Sequence, residues 1–473
     1  MQQSMQKIIR TRVAPSPTGF PHLGLIYQAM FDYVLAHTSN GKFILRIEDT
    51  DRTRFVTGAE DVIYQALAWV HLLPDEGPKE GGNFGPYRQS ERLPVYKKYA
   101  EKLLESKHAY RCFCTKERLD EMRKEQEAKH LPPMYDRLCR KLTEKEIDEK
   151  LQANTPFTIR MKMPDNKVIL VKDALVGDVT FDSNQLDDQV LLKSDGFPTY
   201  HLAVVVDDYE MRITHVIRGT EWLPSFPKHV LLWQFLGLEE NMPVFIHIPV
   251  LLNSVGGGKL SKRHSHTSVT FYQEEGFLPE AVVNYLANIV WNHPEGKEIF
   301  PIMDFGKALD AKTNKFAIKP NGVHFDLQKL TWMNGEYIRE MTDADLEKRL
   351  RDFYAKDEEV LRVLDTKETA QKIIILAKTR LKTLKEFREL VIPAKVQLSD
   401  EEKAVAKGLV HAFAKITDWN KDTILAAMRE VLQTQKVKGS VLYKIMTGYE
   451  HGLPLPETLE ILGKEKTVGR LQS

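Results

Sequence analysis

The chain is short of cysteine, with 3 in 473 residues, and short of net charge, since 67 Lys and Arg stand against 66 Asp and Glu. That balance gives no sign of a polyanionic partner, so any nucleic-acid contact has to come from local patches. No uncharged apolar run approaches the ~20 residues a bilayer requires, which excludes a membrane-spanning helix. The opening stretch MQQSMQKIIRTRVAPSP lacks an apolar core followed by a small-residue cleavage site, so secretion is not expected and the cytoplasm is the default address. The cysteines, Cys112, Cys114 and Cys139, are odd in number and lie near one another in sequence. They make a poor disulfide framework and a reasonable metal cluster. Repeats and low-complexity tracts are also missing. What remains is a globular composition, 42% hydrophobic and 28% charged, in a chain long enough for several domains of ~100 to 200 residues.

Lys7 to Val13 is a short β-branched run that ends at a Pro/Ser/Gly-rich stretch, followed by an apolar segment from Leu25 to Leu35. This reads as strand, loop, helix. A second strand from Lys42 to Ile47 runs into Glu48-Asp49-Thr50-Asp51, and a helix from Ala59 to Leu72 follows, an alternation that predicts a parallel α/β sheet. From about Ala109 to Asp188 the texture changes to a charged helix, the cysteines and alternating stretches such as Thr158-Ile159-Arg160-Met161-Lys162, as an insertion would. Strands are expected on both sides of the turn Ser194-Asp195-Gly196, and Val204-Val205-Val206-Asp207-Asp208 reads as a buried strand ending in acids. Beyond Met341 strand signals stop. Apolar residues there recur at helical spacing, as in Ile373, Ile374, Leu376 and Ala377, and Ser399-Asp400-Glu401-Glu402 offers a cap, so the last third should be all helical.

Two segments carry chemistry. Arg12-Val13-Ala14-Pro15-Ser16-Pro17-Thr18-Gly19-Phe20-Pro21-His22-Leu23-Gly24 falls where a strand ends and a helix begins, a natural phosphate site because the first helical N–H groups are unpaired donors. His22 can donate to an α-phosphate oxygen there, although an isolated His-x-Gly is more often an ordinary turn. Gly256-Gly257-Gly258-Lys259-Leu260-Ser261-Lys262-Arg263 feeds clustered cations from a glycine run, and its lysines could close over a triphosphate. Taken alone it would be a basic surface loop.

In this order and separation the two segments resemble the paired HIGH and KMSKS motifs of class I aminoacyl-tRNA synthetases. RVAPSPTG, RIEDTD, YRQSERLPVY, LLKSDGFPTYHLA, VIRGTEW, KLSKRHSHTS, EGFLPEA and WMNGEYIRE resemble the bacterial glutamyl-tRNA synthetase family more closely, from about Arg10 to Arg470. The resemblance implies an α/β Rossmann-like catalytic domain in two halves (1–108 and 191–258), split by an acceptor-stem-binding insertion (109–190). It further implies a KLSKR loop with a stem-contact region (259–341) and an all-α anticodon-binding region (342–473). The implied substrates are L-glutamate, ATP with Mg²⁺ and tRNA-Glu, on a monomeric enzyme. Among residues, Arg12 faces the side-chain carboxylate of glutamate, where a guanidinium fork selects against neutral side chains. Ala14, Ser16 and Glu48 surround the α-amino group, and Tyr200 and Arg218 complete the pocket. His22, Gly24 and Lys262 contact ATP, with His22, Lys259 and Lys262 the catalytic set, and Arg380 matches the family position that reads the third anticodon base in discriminating members. Two positions depart from the family. Val204 stands where an asparagine is usual, which removes a polar contact on the substrate side, and Leu25 ends the HIGH-like segment where a small or hydroxylated residue is common.

Three thiolates at Cys-x-Cys and a later Cys suit a structural Zn²⁺, which needs a fourth ligand. Zinc-bearing members of the family close the site with Cys-x-His, but here the position two after Cys139 is Lys141, protonated at neutral pH. The related glutamyl-queuosine enzymes use a tyrosine four residues before the last cysteine, and Tyr135 stands at that place. His130 is a further candidate, and three reduced thiols without metal are the alternative. The glutamyl-queuosine enzymes themselves lack a helical C-terminal region, and the glutaminyl-tRNA synthetases have a β-barrel in its place. Small nucleotidyltransferases with His-x-Gly-His need none of the Arg12, Glu48, Arg218 set. An inactive RNA-binding paralogue should have lost His22, Lys259 and Lys262, all of which are present.

Overall fold

The structure is a computed structural model that describes residues 8–253 and 267–472. The chain forms two compact units, one holding the described residues up to 270 together with 283–325, the other 271–282 with 326–472.

In the first unit a parallel sheet is built around β1 (Arg10–Val13), whose four residues are all buried. Its Val, Thr and Arg positions are enclosed on both faces, as parallel strands covered by helices are. The helix α1 (Leu23–Thr38) returns the chain to β2 (Lys42–Leu45), which pairs parallel with β1 from Arg10↔Lys42 to Val13↔Leu45. The helices α2 (Ala59–Trp69) and α3 (Leu93–Glu105) follow. The insertion then opens with β3 (Ala109–Cys112), and β4 (Thr158–Met161) pairs antiparallel with it and with β7 (Val190–Leu192). Between them come the helices α4 (Lys116–Ala128) and α5 (Glu144–Gln152) and a hairpin of β5 (Val168–Asp173) and β6 (Gly177–Asp182) closed at Gly177, whose φ of +87° favours glycine.

The sheet resumes with β8 (His215–Gly219), reached from α6 (Tyr200–Glu210), and after α7 (Phe226–Phe235) with β9 (Val244–Ile248), parallel to β8. The Thr214 amide donates to the Arg10 carbonyl, which places β8 beside β1. The hydrogen-bonded sheets are β2-β1 and β8-β9-β5-β6, β5 joining β9 by a parallel pairing of Asp173 with Phe245. With β8 packed beside β1, the carboxyl ends of β1 and β8 open side by side, the usual ligand crevice of such folds.

Val204–Asp208, read above as a strand, is the middle of α6. Val204, Val205, Val206, Asp207 and Asp208 are all buried. A helix enclosed on every side shows the same unbroken apolar run as a buried strand, and three valines tilt the local reading toward β. Only Leu192 and Pro198 pair across the turn at Gly196, so the second strand expected there is a single bridge.

The second unit contains no strand among the described residues. Helices Asp343–Phe353 and Lys367–Lys378 enclose one core around Leu346, Leu350, Ile374 and Ala377. Helices Asp400–Ala414, Lys421–Gln435 and Ser440–Thr447 enclose another around Leu409, Phe413, Met428 and Leu442. The expected cap at Ser399 is a capping box with Glu402, a device that stabilises a helix start by ~1 kcal/mol.

Candidate active site

At the carboxyl ends of β1 and β8 lies a cavity of about 600 Å³. Arg12, Ala14, Ser16, Glu48, Tyr200 and Arg218 all line it, so six residues spread over 207 positions of sequence, 12 to 218, share one wall. Gln28, Gln89, Lys193 and Trp222 line it too. Each is delivered by a sheet end or helix start. Arg12 comes from β1, Glu48 follows β2, Arg218 is in β8 and Tyr200 opens α6.

The floor is an ion network. The Asp208 carboxylate accepts from Arg12 Nε at 3.0 Å and Arg46 Nη1 at 2.6 Å. Burial alone would raise the Asp208 carboxyl, but Arg12 and Arg46 outweigh it and hold the group below the usual carboxylate range. Glu48 accepts from Arg46 Nη2 at 3.1 Å and Gln89 Nε2 at 3.4 Å. Here burial wins and raises the carboxyl despite Arg46 and Arg12, so a cation entering the cavity beside Glu48 would be drawn to it. Asp207 accepts from Arg92, Gln89 and Tyr96 at 2.7 to 3.0 Å.

Unlike Arg12, Arg46 and Arg92, Arg218 has no carboxylate in contact among the described residues. Its Nε donates to His247 Nε2 at 2.9 Å, and its Nη1 donates to His229 Nδ1 at 2.9 Å and to the Tyr200 hydroxyl at 3.4 Å. Its Nη2 is buried and has no hydrogen-bond partner among the described residues. A buried guanidinium nitrogen left unpaired is costly unless a ligand completes it. The cavity wall therefore presents donors and positive charge where an anionic group would fit.

A second cavity of about 250 Å³ is lined by His22, Gly24, Leu25, Gly219, Glu221 and the residues after β9, and it shares Gln28 and Trp222 with the first. His22 caps α1 and accepts the Gly24 amide on Nδ1 at 3.0 Å. In the neutral ring that makes Nε2 the protonated nitrogen, a donor beside the positive end of a helix of 16 residues. Lys259 and Lys262 lie outside the described residues. Val204 is packed in the apolar core and is not among the residues lining the cavity. Leu25 does line the second cavity.

In the insertion Cys112, Cys114 and Cys139 come together, their sulfurs within 4.8 Å of one another. The Tyr135 hydroxyl sits 3.4 Å from Cys112 Sγ and 3.3 Å from Cys114 Sγ, and Cys114 and Cys139 are 3.5 Å apart. A tetrahedral Zn²⁺ with metal–sulfur bonds of about 2.3 Å would set edges of about 3.7 Å, close to what these four atoms already form. A hydrogen bond from Cys139 holds the Cys112 thiol well below the usual thiol range, whereas burial and the adjoining thiols push the Tyr135 phenol up. Two cations flank the group, with Arg118 Nη1 3.3 Å from Cys114 Sγ and the Arg160 guanidinium 4.0 Å above the Tyr135 ring. They would offset the negative charge left by three thiolates and a phenolate if a divalent ion were held there. His130 is exposed and stands outside this group.

In the second unit Arg380 is exposed at a cavity of about 280 Å³, with Lys382, Glu386, Tyr449 and His451. Sequence reasoning missed Gln28, Gln89 and Trp222, and the buried acids beneath them. Trp222 belongs to the VIRGTEW segment and could have been taken from it, whereas Gln28 carries no signal beyond its place on α1.

Residues 8–332 match the family described as tRNA synthetases class I (E and Q), catalytic domain, and residues 345–473 match the anticodon binding domain family. The chain is 39% identical to the glutamate–tRNA ligase of Fusobacterium nucleatum subsp. nucleatum, covering 99% of this chain and 97% of that one. It is 40% identical to the glutamate–tRNA ligase of Protochlamydia amoebophila, covering 98% and 93%. A solved glutamate tRNA ligase from Elizabethkingia meningosepticum, in complex with its amino acid, matches with a TM-score of 0.82 at 35% identity over 99% of both chains.

Proposed function

The chain belongs to the glutamate–tRNA ligases of class I, and on that footing we propose how its residues divide the work of activating glutamate with ATP and joining it to tRNA. The observation that carries the assignment is the pair Arg12 and Arg218 on one cavity wall, with Arg218 Nη2 unpaired. Guanidinium nitrogens donate and never accept, so both terminal atoms of the side chain they hold must be acceptors. A carboxylate meets that condition and a carboxamide does not. Tyr200 closes this end, and Ala14, Ser16 and Glu48 receive the α-ammonium, with Glu48 as countercharge.

ATP occupies the second cavity, its α-phosphate accepting from His22 near Gly24 and the start of α1. The α-carboxylate of glutamate attacks the α-phosphorus, the bond to pyrophosphate breaks, and glutamyl-adenylate forms. Lys259 and Lys262 neutralise the charge that moves onto the phosphates, a task that Mg²⁺ carried by ATP would share. The terminal ribose hydroxyl of tRNA then attacks the adenylate carbonyl and AMP leaves. Catalysis is positioning and charge stabilisation, since no side chain becomes bonded to substrate. The shared walls at Gln28 and Trp222 are where the two substrates meet.

We assign 1–108 and 191–258 to the catalytic domain, 109–190 to an insertion that meets the acceptor stem, 259–341 to the KLSKR loop and stem contact, and 342–473 to the anticodon, read partly by Arg380. Cys112, Cys114, Tyr135 and Cys139 hold one structural zinc, which would tie β3 to the segment after Met134. The enzyme works as a monomer in the cytoplasm, and no helix among the described residues is long and apolar enough to cross a membrane. The test is Arg12→Ala. Glutamate KM should rise by about tenfold or more while ATP KM holds, and unchanged glutamate kinetics would remove Arg12 from the pocket.

A further inference from the structure

Behind Arg218 runs a buried chain of rings that the reaction does not use. His247 Nε2 accepts from Arg218 Nε, and its Nδ1 faces Asp173 Oδ2 at 2.7 Å. His229 Nδ1 accepts from Arg218 Nη1, and its Nε2 faces His201 Nδ1 at 3.0 Å. Phe226 and Phe245 lie on the guanidinium at 5.7 and 5.4 Å. The three histidines and Arg218 sit in β8, β9, α6 and α7, with Asp173 at the end of β5, so the arrangement joins five elements of the same unit.

The tautomers follow from Arg218 alone. A guanidinium has only donors, so each ring nitrogen facing it must be bare. His247 then carries its proton on Nδ1 and donates to Asp173, and His229 carries its proton on Nε2 and donates to His201 Nδ1. Asp173 has no freedom to do otherwise. Its Oδ2 also accepts the His247 amide at 3.0 Å, and its Oδ1 accepts the Leu175 and Val176 amides at 3.0 and 2.8 Å. Four donors converge on two oxygens, which only an ionised carboxylate satisfies.

We infer that Asp173, His247, His229 and His201 are positioning residues that hold Arg218 by two of its nitrogens and leave Nη2 as the donor for the substrate carboxylate. The inference rests on the glutamate site proposed above. It adds that a group two bonds of the network away from the cavity sets affinity for glutamate. In Asp173→Asn the amide must turn its NH₂ either toward the Leu175 and Val176 amides, where donor meets donor and the side chain is pushed out of place and off the His247 ring, or toward His247. The second choice forces His247 to move its proton to Nε2, where it meets the Arg218 Nε–H donor to donor, and Arg218 is displaced.

Two measurements on the full-length protein test this. The first is steady-state kinetics of Asp173→Asn, with Asp173→Glu as the variant that keeps the carboxylate. Glutamate KM should rise by about tenfold or more in Asp173→Asn, the effect of mispairing one charged buried hydrogen bond. ATP KM and saturating kcat should move far less, and Asp173→Glu should recover part of the loss. Wild-type glutamate KM in a folded Asp173→Asn overturns the inference. Should that variant not fold, ¹⁵N shifts of the wild-type imidazoles decide: His247 as the Nδ1–H form and His229 as the Nε2–H form support it, and any other pair of forms overturns it. A wild-type enzyme unable to use glutamate would instead overturn the reading of the site itself.

Discussion

Replacing Arg218 by methionine keeps the apolar stem between Phe226 and Phe245 and removes the guanidinium. The magnitude follows from what each contact leaves behind. His229 and His247 each lose one donor and keep the bond on their other ring nitrogen, to His201 and Asp173. Folding should therefore weaken by about 1 to 3 kcal/mol, the cost of buried acceptors left unmet. Binding should suffer more. A ligand carboxylate in a cavity whose other guanidinium, Arg12, is already shared with Asp208 would be buried with one partner gone, which costs about 3 to 5 kcal/mol. At about 1.4 kcal/mol per tenfold, kcat/KM for glutamate should fall by about 10² to 10³ or more. The assay is aminoacylation over a glutamate series at saturating ATP and tRNA, with melting followed in parallel. A folded Arg218→Met enzyme within threefold of wild type would refute the reasoning, because the unpaired Nη2 would then have no ligand to serve.

Lys262→Ala should lower the rate of adenylate formation by about 10² or more and leave glutamate affinity nearly unchanged, since removing a preorganised donor at a phosphate costs about 3 to 4 kcal/mol in the transition state; near-normal turnover excludes the role. His201, pushed down to about 3 by burial, and His229 and His247, lowered for the same reason, stay neutral when folded but charge in the unfolded chain near their ordinary value. The unfolded state then binds more protons, so stability should be full above about pH 6.5 and fall below it by about 1.4 kcal/mol per pH unit for each proton. Denaturant unfolding at pH 7.5, 6.5 and 5.5 checks the slope, and a flat profile contradicts it. Metal analysis of protein purified without chelator or histidine tag should find one zinc per chain, lost or weakened in Tyr135→Phe; a trace or less ends the zinc assignment, and full retention in the variant removes only the tyrosine.

Part of the site was legible because its residues sit at places that chain order makes conspicuous. His22 and Gly24 open a helix, so a loop reading finds them. Arg12, near the end of the first strand, Glu48, after the second, and Tyr200 and Arg218 needed the family resemblance, since single charged or aromatic residues in such places look like core or surface residues. The network under them was not legible at all. Asp207 and Asp208 follow three valines, and only the fold shows that they meet Arg12, Arg46 and Arg92, which lie 115 or more positions earlier. The same valines hid α6 as a strand. In the insertion the cysteine spacing pointed to a metal, but that Tyr135 rather than His130 reaches the sulfurs is decided by the fold after Ala128.

The most direct measurement is charging itself. Purified enzyme with ATP, Mg²⁺, labelled glutamate and tRNA-Glu should form acid-precipitable glutamyl-tRNA, and labelled glutamine in the same reaction should not be attached, because two guanidiniums cannot satisfy a carboxamide. Attachment of glutamine at a comparable rate, or no charging by glutamate, would contradict the account.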